Sequence, residues 1–166
     1  MNRYHPASVL LHWFSAVIIL WATISGFLVA FTALPSHIEG MIGYFNVAIT
    51  AIFVPFFILR VMVRLVKGKP KNETDSLPAE IGHFLLYTNI AIVLVTGLLM
   101  MERPIDLFGL LSLGPFISSE EVTGIFHSIH RVTCMTLAAL VFGHIGAVVV
   151  HHLRKKPVIK AMTFGA

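Results

Sequence analysis

The sequence predicts an all-α membrane protein, a four-helix transmembrane bundle, and three observations carry that prediction. Of its 166 residues, 57% are hydrophobic and only 12% are charged, and the mean hydropathy is +0.86. Soluble domains carry about twice that share of charge. Four runs free of Asp, Glu, Lys and Arg, at 4–38, 40–59, 81–101 and 132–153, each reach the roughly 20 residues that a spanning helix needs. The basic residues also sort by side, as they do in membrane proteins. Four spans use up most of the chain, so 1–166 reads as a single membrane domain with spans at about 8–31, 40–66, 79–101 and 122–153.

Helix 1 should end before Ala33-Leu34-Pro35-Ser36, where proline and serine signal a turn. Its apolar run is too long for a signal peptide and has no small-residue cleavage site. Helix 2 carries Pro55 in its interior, which membrane helices tolerate because neighbours re-satisfy the freed carbonyl. The stretch "KGKPKNETDSLP", 67–78, is a polar, turn-rich connector, and helix 3 follows it. The segment 103–122 contains "DLFGLLSLGPF", apolar but broken by Gly109, Gly114 and Pro115. Too short to span, it is expected to lie along the outer surface or cap the bundle. Helix 4 closes the chain.

Charge sets the expected orientation. With four spans both termini share a side, which then holds Arg3, Arg60, Arg64, Lys67, Lys69, Lys71, Arg154, Lys155, Lys156 and Lys160. The other side keeps Arg103 and Arg131 against Glu39, Glu102, Asp106, Glu120 and Glu121. Ten against two places the termini on the cytoplasmic side of the membrane. The pI near 9.5 is then a matter of topology and anionic lipid headgroups; no nucleic acid is expected as a partner. A lone cysteine, Cys134, excludes an internal disulfide, and without a C-x-x-C-H there is no ordinary c-type haem attachment.

The chemistry lies in the histidines, because ionisable residues inside a membrane face the bundle interior and mark function. His130 and His144 sit fourteen residues apart on helix 4, about 21 Å along the axis and within about 40° of the same face. One helix thus offers two imidazoles at two depths, one near each membrane surface, a geometry that suits two stacked b-type haems. His12, in "LLHWF" of helix 1, lies at the depth of His144 and should pair with it on an inner haem iron. The alternative is a pair of structural histidines bonded to carbonyls one turn back. Trp13 and Trp21 read as packing or interfacial aromatics. Gly26, Gly97, Gly143 and Gly146 allow either close helix approach or clearance for a flat macrocycle.

"LHW" near the start, "RVMVRL" at 60–65, "GHFLLY" at 82–87 and H-x13-H followed by "HH" on the last helix resemble the prokaryotic cytochrome b-561 family across essentially the whole chain. That family includes superoxide:ubiquinone oxidoreductase and is related to the cytochrome b subunits of nickel–iron hydrogenases. The resemblance implies a four-helix bundle with two b haems. It implies an inner haem held by His12 and His144, and an outer haem with His130 as its helix 4 ligand. The family's helix 2 ligand does not carry over: its position falls on Asn46, or on Gly43 with a three-residue slip. The outer site is therefore absent, five-coordinate on His130, or displaced toward His37 or His127. Arg131 is either a partner for a haem propionate or an interfacial charge. Cys134 reads as a small buried residue, with a thioether to haem as the alternative. The resemblance further implies ubiquinone beside His151 and His152, with His83 at similar depth; interfacial histidines are the alternative.

Two functions stay open on these residues. The chain either passes electrons from an outer-face donor through haem to quinone, as a superoxide oxidase does, or is the haem-bearing membrane anchor of a larger redox complex, docking a partner protein on its outer face. Acid-rich outer loops speak against an anionic donor such as superoxide. The histidine spacing opposes a third reading, a haem-free structural subunit.

Overall fold

The computed structural model describes residues 4–68, 76–155 and 158–163. It contains four helices long and apolar enough to cross a membrane: α1, Pro6–Phe31; α2, Ser36–Lys67; α3, Leu77–Leu99; and α4, Glu120–Leu153. Two short strands, β1 (Ile105–Asp106) and β2 (Ser112–Leu113), form an antiparallel hairpin between α3 and α4. A 3-10 helix, Val158–Met162, follows α4. The chain is a multi-pass membrane protein.

Local chemistry explains where the helices start and stop. Pro6 opens α1 at a position where a missing N–H costs nothing, and the side chain of His5 caps it by accepting from Ala7 N at 3.3 Å. Pro35 precedes α2, and Gly68 ends it at φ 67°, a left-handed conformation that glycine adopts freely. Pro78 lies in the first turn of α3, and Ser119 caps α4 by accepting from Val122 N. Helix α2 reaches Lys67 and α4 starts at Glu120. Arg60 therefore lies within α2, about two turns before its end, as the expected span of 40–66 implies.

The four helices form two hairpins, α1 packed on α2 and α3 packed on α4, with fewer contacts between α2 and α3. Outward faces are apolar: Val17 and Ile24 on α1, Leu65 and Val66 on α2, and Phe142 on α4 are all exposed. In lipid such residues need no cover, because hydrocarbon solvates them as well as another helix would. Ile18, Phe53, Phe57, Ile90, Leu94 and Leu137 form the core, drawing on all four helices.

The two ends of the bundle differ in how they are closed. Tyr4 N donates to Ala161 O at 3.1 Å, so the two termini meet at one end. There Trp13 Nε1 donates to Met162 O at 2.8 Å, and Ala161 is buried. At the opposite end the 103–122 segment caps the start of α2. Asp106 Oδ2 accepts from Tyr44 Oη at 2.7 Å and from Gly109 N at 3.0 Å, Phe108 packs against Tyr44 and Phe45, and Ile105 is almost wholly buried. Arg3, Lys69, Lys71 and Lys156 of the basic set lie outside the described residues.

Candidate functional site

Polar side chains inside the bundle fall into two layers with the apolar core between them, and a seven-residue spacing generates both. On α4 the sequence runs His130, Leu137, His144; on α2, Asn46, Phe53, Arg60; on α3, Gly97, Ile90, His83. On α1 the matching positions are Ser25, Ile18 and, one residue out of step, His12. Seven residues are close to two helical turns and about 10.5 Å of rise, so each set of three points the same way at three depths.

The layer at the termini end gathers His12, Arg60, His83 and His144. The ring centres of His12 and His144 are 6.4 Å apart, and those of His83 and His144 are 5.6 Å apart. His12 belongs to the α1–α2 hairpin while His83 and His144 belong to α3–α4, so the imidazoles face one another across the seam between hairpins. Two imidazoles bound to opposite sides of one metal, with metal–nitrogen bonds of about 2 Å, have ring centres roughly 6 Å apart. The His12–His144 pair has the donor type and the spacing for that. Arg60 reaches the same layer: its Nη2 is 3.1 Å from His12 Nδ1, its Nε donates to Tyr87 Oη at 3.2 Å, and its guanidinium lies over the Tyr87 ring at 5.0 Å.

One turn or two beyond, His151 is half-buried with its Nδ1 fully enclosed and, among the described residues, without a hydrogen-bond partner. His152 is exposed. A buried polar nitrogen without a partner is costly and calls for an explanation.

The layer at the hairpin end is built differently. His130 Nδ1 lies 3.1 Å from Val93 O and 3.1 Å from Thr96 Oγ1. A carbonyl only accepts, so Nδ1 carries the proton and Nε2 keeps a lone pair, 3.4 Å from Cys134 Sγ. The ring rests on Gly97, where an added Cβ would come within 3.1 Å of His130 Cε1. Gly97 thus makes room for an imidazole; at Gly26, Gly143 and Gly146 a Cβ would meet nothing within 4 Å. Asn46 turns the other way, its Oδ1 3.0 Å from Ser25 Oγ on α1. Each side chain is satisfied within its own hairpin. Arg131, His127 and His37 are exposed.

The structure thus brings together His12 and His144, buries the ring nitrogen of His151, and holds His130 against α3 and Cys134 of its own helix. The sequence reading missed the roles of Arg60 and Tyr87. A signal was available for the first: an arginine seven residues upstream of the last residue of a spanning helix is an intramembrane charge, which is functional by default. Tyr87 carried no such signal.

Comparison with curated proteins returned no match for this chain. The family model described as prokaryotic cytochrome b561 matches residues 3–165. With four spanning helices, histidines at two depths and a match over nearly its whole length, the chain belongs to the prokaryotic cytochrome b561 family, membrane proteins of b-type haem electron transfer.

Proposed function

We propose that this chain is a one-haem membrane cytochrome that exchanges electrons with ubiquinone at its termini end. The observation that carries the reading is the His12–His144 pair, two imidazoles 6.4 Å apart on opposing hairpins. The donor set suits haem b, which when bound supplies a one-electron couple within the membrane. His12 and His144 would hold the iron, and His83 lies against His144 within the same layer. The buried, unpartnered His151 Nδ1 supports a quinone carbonyl or hydroxyl as the missing hydrogen-bond partner, and an imidazole there can pass the proton that accompanies quinone reduction.

One haem, not two, is favoured by the hairpin-end layer. His130 has a single imidazole's worth of donor chemistry, and Asn46 opposite it is bonded to Ser25. His130 Nε2 remains the atom that a five-coordinate iron would need, with Arg131 beside it for a propionate; both stay subordinate to the one-haem reading. The basic residues Arg64, Lys67, Arg154, Lys155 and Lys160 favour a cytoplasmic termini end in a bacterial inner membrane.

A second reading, a membrane-anchor subunit, is favoured by the loop at the hairpin end. Leu110 is 89% exposed on a segment that is otherwise pinned through Asp106 and Phe108, with Leu111 and Phe116 exposed near it. A rigid apolar tip among acidic residues suits a docked redox protein better than it suits superoxide as donor.

The test is the ratio of haem to protein from a pyridine haemochromogen spectrum of the purified chain. The expected ratio is one. A ratio of two would overturn the reading of the hairpin-end layer, and no haem at all would overturn the function. Quinone reduction or quinol oxidation by the isolated chain, against co-purification of a partner in mild detergent, separates the two readings of its role.

A further inference from the structure

Arg60 presents a chemical conflict that the proposed haem would have to resolve. Its Nη2 faces His12 Nδ1 at 3.1 Å. Guanidinium has donors and no acceptor, so in this contact Nδ1 must offer its lone pair. A neutral imidazole that binds iron through Nε2 has the opposite arrangement, with the proton on Nδ1 and a carbonyl, carboxylate or water as its partner. Two N–H groups cannot face each other at hydrogen-bond distance. Seating an iron on His12 therefore displaces the Nη end of Arg60 from it.

The rest of Arg60 is not free to leave the layer. Its Nε is bonded to Tyr87 Oη at 3.2 Å, and its charge sits over the Tyr87 ring at 5.0 Å. Tyr87 in turn packs against Phe57 of the core. A half-buried cation anchored at one edge, losing its partner at the other, needs a new acceptor, and in a low-dielectric setting that need is acute. Haem arrives with two carboxylates of its own. Planar guanidinium matches a carboxylate with two parallel hydrogen bonds.

We propose that Arg60, anchored by Tyr87, is a haem-propionate ligand and the fixed positive charge that raises the reduction potential of the haem at His12 and His144. The inference rests on the one-haem reading above. The sign of the potential follows from charge: oxidation leaves the haem one unit more positive, and a guanidinium close by opposes that. Arg60 acts on the cofactor by contact. Tyr87 acts through Arg60 and is a positioning residue.

The experiment compares wild type with Arg60→Gln, Arg60→Lys and Tyr87→Phe, each purified in detergent. Three quantities are measured: haemin affinity of the haem-free chain, midpoint potential by redox titration, and the propionate bending bands in resonance Raman. Arg60→Gln is expected to bind haemin about 10- to 100-fold more weakly, the loss of one charge-assisted bond, with a lower potential and shifted propionate bands. Arg60→Lys should recover most of the potential and less of the affinity, because a point charge replaces a fork. Tyr87→Phe should move the Raman bands in the same direction by less. A fully loaded Arg60→Gln chain with the potential and propionate bands of wild type would overturn the proposal and leave the haem site standing. A wild-type chain without haem would overturn both. If Arg60→Gln fails to fold, Arg60→Lys still decides, since unchanged affinity and bands there would refute the two-bond contact.

Discussion

The two polar layers of the bundle stand at the same spacing from the core and share a helical framework, yet only one of them faces inward across the seam. At the termini end His12 of one hairpin meets His83 and His144 of the other. At the hairpin end His130 is bonded to α3 and Asn46 to α1. The lesson concerns satisfaction. A histidine with a carbonyl partner on its own hairpin is content without a cofactor, and an asparagine opposite it finds a hydroxyl nearby. The termini-end layer instead puts three imidazoles and a guanidinium together, with Arg60 bonded to His12 and to Tyr87.

The comparison can be broken by substitution, and the largest effect belongs to the ligand pair. His12→Ala and His144→Ala should each abolish haem binding, whereas His130→Ala should leave the haem ratio unchanged; equal loss in all three variants would show that the layers are not distinct. A subtler test restores the absent imidazole. Asn46→His faces a His130 whose Nδ1 is already held by Val93 O, leaving Nε2 for iron, so haem content should rise from one toward two per chain. A ratio still at one would mean that the hairpin-end layer is closed by packing and not by the lack of one residue.

Smaller effects sharpen the picture of each layer's frame. Gly97→Ala puts a Cβ about 3.1 Å from His130 Cε1 and should cost about 1–3 kcal/mol by overpacking, read as a lower melting temperature in detergent at unchanged haem content. If haem falls with it, His130 matters to the cofactor after all. Trp13→Phe removes the bond to Met162 O and should cost about 1 kcal/mol, since the contact lies at an exposed edge. Faster proteolysis of the C-terminal tail, without a change in haem, is the expected readout.

The architecture was legible in composition because lipid imposes a simple rule: each span must be long, apolar and internally hydrogen-bonded. Four runs met that rule, and four helices formed. Helix α2 ends at Lys67, where Gly68 supplies a left-handed turn, within a residue of the end expected from the sequence. The apolar 103–122 segment was legible as a surface-lying or capping element, but the Tyr44–Asp106 bond that pins it joins residues sixty-two apart.

Within the site, spacing along one helix could be read directly. His130 and His144 share a face because fourteen residues are nearly four turns, and the departure at Asn46 is visible in the sequence. Which of those side chains meet another helix is a different matter, because it depends on how two hairpins lie against each other. Sequence alone carried the number of spans and the two depths at which histidine occurs, since local geometry and hydropathy suffice for these; the absent imidazole at position 46 showed only against the family resemblance. Tertiary structure decided that His130 leans on α3, that Asn46 turns to Ser25, and that Arg60 joins Tyr87 to His12. Those contacts cross between helices, where direction is set by packing and by the need of every buried polar atom for a partner.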